Sequence, residues 1–475
     1  MNARRRSRTS YSVRAAGRIA ESRVVMEKNE HVRVLRVYHG GRLAAHRERE
    51  RALVNVGVEV SLALPQAWPQ SPEVVSEDSF KTFELEVARE GDVNRHRYRS
   101  IDALRKLLLE TSPDVLDVHE EPFSVASRQW LAAAPVDMPV VMYTAQNIDK
   151  RLPPPFAQFE RSAYARVAAL YPCSAQAASV ARGKGFAGLV EVLPLGYDDA
   201  LFFPGSQSLN DDELVLGLFG RLVPEKGIAD AMHVLARLRR LRPTRLVIVG
   251  SGPEEARARS LAAALGVSDC FDLIPWQSSS DLASMYRDTH VVLVPSRVTE
   301  TWAEQFGRVI VEAQASGAVV AGYSSGSISE VADDAAILTS EGAVVQLGDR
   351  IAELVSDQPA YVHHRERGIA LAPTRTWSHV AARQADLYRK IAAGDAPRLK
   401  LQRSPKRRRE AARAEFGRTA ATTAGPRPFA LPFLRRGGAV AFVHARTLDA
   451  AGELKAGFDA WLDTAGARWR SRNDA

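Results

Sequence analysis

From residue 32 to about residue 392, short apolar runs alternate with segments whose apolar positions recur every three or four residues. That is the pattern of buried parallel strands joined by helices. Residues 32–38 (VRVLRVY) read as a first strand, followed by His39-Gly40-Gly41 and a helix from residue 42 to about 55. Residues 58–64, 114–119, 139–143, 169–172 and 190–193 read as further strands, with helices over 100–110, 153–168 and 174–185 between them. Residues 67–93 carry no clear periodicity. The alternation then restarts, with strands at 214–219, 245–249, 271–274, 290–294, 318–322 and 335–338. Helices are expected at 228–241, 253–265, 280–287, 304–316, from about 329, and at 344–356 and 377–391. The expected architecture is α/β: two facing Rossmann-like βα domains with a cleft between them and ligands at the carboxyl ends of the strands.

The pattern divides the 475 residues into a basic arm (1–30), a first domain (31–205), a second domain (206–375) and a helix returning toward the first (376–394). Residues 395–475 read as a basic linker and a small appendage. Within it, 437–446 has strand character and 448–465 forms an amphipathic pattern with Leu454, Phe458, Trp461 and Leu462 on one face. Two domains suit the length, since single cores stop growing near about 250–300 residues. Cys173 and Cys270 are too few and too far apart for a disulfide framework or a metal-ligand cluster, which fits a reducing cytoplasm. No apolar run approaches the roughly 18 residues needed to span a bilayer. The net charge of +8 belongs to the flanks. Residues 1–23 hold seven Arg and one Glu, and residues 398–418 hold nine Lys or Arg and two Glu, so the rest of the chain is acidic. Such arms are either solvated tails or a means of peripheral contact with an anionic membrane. They carry no motif for specific nucleic-acid recognition.

Candidate chemistry concentrates in residues 295–317 (PSRVTETWAEQFGRVIVEAQASG). Glu304 and Glu312 bracket the first half of the expected helix, and Phe306-Gly307 stand at its mouth. On a continuous helix the two carboxylates would lie about 12 Å apart at about 1.5 Å per residue. A glycine at a helix start lets an anion approach the backbone N–H groups. This spacing suits an elongated ligand with an anionic middle and hydroxylated ends, the shape of a nucleotide diphosphate sugar. Upstream, Gly217-Leu-Phe-Gly220-Arg221-Leu-Val-Pro-Glu-Lys226-Gly227 ends a strand and opens a helix, so that Arg221 and Lys226 are a cation pair for diphosphate oxygens or two surface cations. Gly250-Ser-Gly252 lacks the third glycine of a dinucleotide fingerprint, and nothing matches a Walker phosphate loop. His119, at a strand end, is placed to donate a hydrogen bond to a sugar hydroxyl or to stabilise charge, unless it is a structural histidine. Gly40-Gly41 permit close backbone approach or simply a tight turn, and His363-His364 read as surface.

Together, GRLVPEKG, VGSGPE and EQFGRVIVE resemble the donor-binding half of retaining GT-B glycosyltransferases of family 4, a resemblance that covers roughly residues 32–392. It implies that Arg221 and Lys226 hold the donor diphosphate, Glu304 contacts the transferred sugar, and Glu312 accepts hydrogen bonds from the ribose. It also implies phosphate contacts from Gly307 and the helix start behind it, with Phe306, Gly220 and Gly250 in the donor site. The Gly40-Gly41 loop would face the diphosphate and acceptor, and His119 would lie near the reacting carbon. A metal and other cofactors are not expected, and the partners are a nucleotide-sugar donor and a hydroxyl acceptor. A GT-B isomerase of nucleotide sugars and a non-catalytic nucleotide-sugar-binding protein share much of this pattern. The chain departs from it at Ser327 and Ser329 and at Pro275, positions expected beside the nucleotide pocket.

Overall fold

β1 (Val32–Val37), β2 (Val58–Pro65) and β3 (Lys81–Leu85) begin the first sheet of the computed structural model, which describes residues 31–69, 78–210 and 212–394. A small antiparallel pair follows, β4 (Val87–Ala88) with β5 (Arg97–Tyr98). The first sheet continues through β6 (Val115–Val118), β7 (Val140–Thr144), β8 (Ala169–Pro172) and β9 (Leu189–Val190). Its order is β3-β2-β1-β6-β7-β8-β9, and every pairing is parallel. The second sheet holds β10 (Leu214–Phe219), β11 (Thr244–Val249), β12 (Phe271–Ile274), β13 (Val291–Val294), β14 (Val319–Tyr323) and β15 (Ala336–Thr339). Its order is β12-β11-β10-β13-β14-β15, again all parallel. Strands covered by helices on both faces explain the unbroken apolar runs, such as the fully buried VVLV of β13. In each sheet the strand order reverses beside one central strand, β1 or β10, and these switch points open the crevices where ligands bind.

Both sheets belong to one compact unit. The chain leaves the first domain and returns to it side by side, where Tyr197 bridges Thr376. The returning helix, Trp377–Ala392, packs on the first domain and sends Tyr388 and Gln384 to Asp117 of β6. Arg36 of β1 pairs there with Asp117 and, at 2.7 Å, with Glu50.

Several expected boundaries move. Residues 67–93 contain strand β3, whose positions are mostly exposed at a sheet edge and so leave no apolar signature. The helix expected from residue 42 starts at Glu48, after two 3₁₀ turns, His39–Arg42 and Ala44–His46. Arg47 ends those turns by donating to the Gly41 carbonyl at 2.6 Å while pairing with Asp78. The helix expected over 304–316 spans only Arg308–Ala315, because Gly307 is left-handed at φ +80° and forms its N-cap. Glu304 therefore sits in the preceding loop, and the helical estimate of 12 Å between the carboxylates does not apply. The basic arm (1–30), the basic linker and the segments 437–446 and 448–465 lie outside the described residues.

Candidate active site

The Arg221–Gly227 loop leaves β10 and turns into the Ile228–Leu238 helix with Gly227 as N-cap. A side chain on Gly227 would come within 2.1 Å of the Pro295 carbonyl, so this loop is pressed against the loop that carries Glu304. The Lys226 ammonium lies 2.6 Å from the Glu304 carboxylate, which also accepts from the Ser296 hydroxyl at 3.1 Å. Trp302 places its ring under Lys226, 5.4 Å from centroid to Nζ. Arg221 is exposed at the start of the loop. Gly220 and Gly250 end neighbouring strands, donating to the carbonyls of Val249 and Ile274. Phe306 is only 3% exposed and packs in the core, so its side chain is not offered to a ligand; Gly307 beside it leaves the helix start open.

Glu312 lies apart from Glu304, one turn into the helix. Its carboxylate accepts from the Tyr286 hydroxyl at 3.1 Å and pairs with Arg308 at 2.9 Å. Arg308 also approaches Glu48 of the first domain at 3.7 Å. Glu312, Arg308 and Glu48 line a hollow together with Tyr197, Asp198 and Trp276, a residue 60% exposed. Pro275-Trp276 is thus beside this hollow, but Ser327 and Ser329 are not. Ser327 donates to the Ser174 hydroxyl at 3.1 Å, and Glu330 accepts the N–H groups of Ala175 and Gln176 at 2.5 and 3.2 Å. Ser327 thus sits at the seam between the two domains, whereas the exposed Ser329 bonds the Ser324 hydroxyl of its own domain at 2.6 Å. Ser327 therefore bears on domain docking.

The first domain forms the opposite wall of a cleft of about 460 Å³. His119 follows β6 and stacks on Tyr143 with ring centroids 4.1 Å apart. Tyr171 donates its hydroxyl to Asp117 at 2.5 Å, so His119 Nδ1, 3.0 Å from that hydroxyl, carries the proton and donates. Burial, reinforced by Arg36 and Arg49, holds His119 far below the usual histidine range. Burial thus favours the neutral ring, whose Nε2 would be the acceptor nitrogen. Gly40 and Gly41 lie in the 3₁₀ turn next to this wall, and His39 before them lines the cleft.

Sequence reasoning missed Glu120, Glu121, Asn147 and Trp302. Glu121 accepts from Thr144 and the Ala145 N–H, and burial pushes its carboxyl up to about 7. Asn147 donates to the Glu304 carbonyl at 2.7 Å and so ties the first domain to the Glu304 loop. The only available signals were position: Glu120 and Glu121 follow His119 at a strand end, and Trp302 lies two residues before Glu304. Among the described residues, no group of three or more His, Cys, Asp or Glu is arranged to hold a metal ion.

Residues 201–370 match the family model described as glycosyl transferases group 1, and residues 40–196 match one described as a glycosyl transferase 4-like domain. Together these matches cover more than half of the chain. The chain belongs to the group 1 glycosyltransferases. One similar relative is the D-inositol 3-phosphate glycosyltransferase of Stackebrandtia nassauensis, 35% identical over 211 residues, 40% of this chain and 46% of the relative. Another is the MMP alpha-(1->4)-mannosyltransferase of Mycolicibacterium hassiacum, 28% identical over 212 residues, 43% of this chain and 49% of the relative. The chain thus spans about half the length of the curated relatives it matches. Among solved structures, sucrose-phosphate synthase from Thermosynechococcus elongatus superimposes with a TM-score of 0.60 at 17% identity, over 76% of this chain and 100% of the other. Anabaena HepE in complex with UDP gives 0.61 at 17% identity, over 75% and 99%. The fold is GT-B. No helix among the described residues is long and apolar enough to cross a membrane.

Proposed function

We propose that this glycosyltransferase moves a sugar from a nucleotide diphosphate sugar to a hydroxyl of a glycan, a lipid-linked glycan or a polyol, with retention at the anomeric carbon. The observation that carries this reading is the Lys226–Glu304 pair, next to the cleft that Trp302, Ala303 and Gln305 line, together with the ion-paired Glu312 hollow. In this reading Arg221 and Lys226 take the charge that grows on the departing diphosphate, so cationic side chains and the helix start at Gly307 stand in for a metal. Glu304, already hydrogen-bonded by Lys226, takes hydroxyls of the transferred sugar. Glu312 takes the ribose, sharing its carboxylate with Arg308, and Trp276 offers a face to the base. The acceptor attacks from the side the diphosphate leaves.

The test is thermal shift with UDP-, GDP-, ADP- and TDP-sugars, followed by incubation of the stabilising donor with and without acceptors. A ligand at about a hundred times its dissociation constant adds about 2.7 kcal/mol. The expected result is stabilisation by one nucleotide class and consumption of donor only when acceptor is present. Interconversion of donor alone would make the protein an isomerase, and tight binding without turnover would make it a binding protein.

The cellular setting we propose is the cytoplasm, in the synthesis of cell-surface glycan or glycoconjugate, in keeping with two buried free thiols, Cys173 and Cys270. The basic flanks further suggest peripheral contact with an anionic membrane face, about 1 kcal/mol for each Lys or Arg near the surface. Co-sedimentation with anionic liposomes should fall when residues 1–23 and 398–418 are deleted, and unchanged binding would remove the idea.

A further inference from the structure

β7 ends at Thr144, and the chain leaves the carboxyl edge of the first sheet through Ala145, Gln146 and Asn147. Glu121 holds the start of this loop, accepting from the Thr144 hydroxyl and the Ala145 N–H, each at 2.8 Å. Lys184 steadies it from the other side by donating to the Gln146 side-chain carbonyl at 2.8 Å. So supported, Asn147 is 5% exposed and reaches across to the second domain, where its Nδ2 donates to the Glu304 carbonyl at 2.7 Å. That carbonyl also accepts the Ser327 N–H at 2.9 Å, and a side chain on Gly326 would come within 2.5 Å of it. The Glu304 backbone is therefore clamped from both domains. A carbonyl can only accept, so the nitrogen of the Asn147 amide faces Glu304 and its oxygen is turned away. Oδ1 has no hydrogen-bond partner among the described residues. Unlike the sealed Nε2 of Gln146 beside it, it remains open to the cleft of about 460 Å³ that Asn147 lines.

We propose that Asn147 couples the two substrates of this site, its Oδ1 accepting a hydrogen bond from an acceptor hydroxyl while its Nδ2 holds the Glu304 loop. The inference rests on the transferase reading. Oδ1 has lone pairs and no proton, so the group it takes must donate, as a sugar or polyol hydroxyl does and an ether or a carboxylate does not. A hydroxyl that donates to the amide oxygen polarises the amide and strengthens its N–H as a donor. The two hydrogen bonds then form one cooperative chain from the acceptor to the Glu304 backbone. In the transferase reading Glu304 takes hydroxyls of the transferred sugar, so a seated acceptor firms the loop that presents the donor-side carboxylate. Without an acceptor the chain ends at Asn147. Other polar groups of the cleft lack this double contact. His119 presents an acceptor nitrogen to the same space, but its Nδ1 is bonded to Tyr171 within the first domain. The oxygens of Glu121 are engaged by its own loop, those of Glu120 by His39, and Gln146 by Lys184. These groups can touch an acceptor, yet among the described residues their hydrogen bonds stay within the first domain. Asn147 alone of them reaches Glu304.

The test compares wild type, Asn147→Ala and Asn147→Asp for release of UDP, GDP, ADP or TDP from their glucose and mannose conjugates. Release is read to water alone and to glucose, myo-inositol or glycerol as acceptor probes. Thermal shift by each free nucleoside diphosphate is measured in parallel. Asn147→Ala removes both hydrogen bonds. It is expected to raise the acceptor KM and to lower the ratio of transfer to release into water, each by about tenfold or more, with the nucleotide shift retained. Asn147→Asp keeps an oxygen for the acceptor hydroxyl and loses the N–H that holds the Glu304 carbonyl. It should lower transfer and release into water alike, by about tenfold or more, with the acceptor KM and the ratio within about threefold of wild type. An Asn147→Ala protein whose acceptor KM and ratio stay within about threefold of wild type overturns the proposal, whatever its overall rate. Loss of the nucleotide shift in both variants also overturns it, since Asn147 would then serve domain docking alone. If Asn147→Ala is too unstable to assay, the split between rate and KM in Asn147→Asp decides. Wild type that binds a nucleoside diphosphate but transfers to none of the probes removes the hydroxyl contact at Asn147. Wild type that neither binds nor releases one removes the transferase reading itself, and Asn147 with it.

Discussion

Lys226→Ala is expected to lower sugar transfer by about 10²–10³-fold, the range found when one preorganised group facing developing charge is removed. Two effects combine. The ammonium is the cation closest to Glu304, and it leaves the position where diphosphate charge would grow. Its loss also frees the Glu304 carboxylate, 8% exposed, from a 2.6 Å partner and leaves only Ser296 to orient it. Lys226→Arg should rescue little, because the ammonium sits between the Trp302 ring and the carboxylate, and a guanidinium is larger and planar. Steady-state release of nucleoside diphosphate checks this. A loss confined to KM would mean that Lys226 binds the donor without acting on the leaving group.

The second large effect is on stability. Asp117→Ala is expected to destabilise the protein by about 3–5 kcal/mol, since it removes one partner of a buried ion pair and the acceptor that four buried donors share. Arg36 is fully buried, paired with Asp117 and Glu50. The Asp117 carboxylate also accepts from Tyr171 of β8 and from Gln384 and Tyr388 of the returning helix. One substitution therefore unpairs groups on β1, β8 and the Trp377–Ala392 helix, and it removes the acceptor that fixes the His119 tautomer through Tyr171. Denaturant or thermal unfolding measures the loss. Asp114→Ala supplies the control three residues earlier. Its pair with Arg33 is 36% and 45% exposed, so its removal should cost under about 1 kcal/mol.

The two parallel sheets were legible because each central strand is buried on both faces, which makes an apolar run such as VVLV hard to mistake. β3 was not, because an exposed edge strand does not need an apolar face. Glu304 and Glu312 were expected on one helix, and the structure separates them. Their spacing fits a helix, but Gly307 breaks it, and the glycine had already been singled out for backbone approach without the consequence for Glu304. The first-domain wall was mostly illegible. His39 and Glu120 are 81 positions apart and meet only because β1 pairs with β6. Arg36 looks like an outward-facing polar residue of a strand, and only its contact with Tyr388, 352 positions away, reveals that a helix covers it. Such pairings depend on topology, and local pattern carries no trace of them.

The central claim is that the Lys226–Glu304 pair acts on a nucleotide diphosphate sugar. Acceptor-dependent release of nucleoside diphosphate by wild type and Lys226→Ala, assayed side by side with thermal shift by the same nucleotide, tests it most directly. The account predicts release by wild type, at least tenfold less by the variant, and a folded variant. Equal release by the two proteins, or none from any donor by wild type, would contradict it.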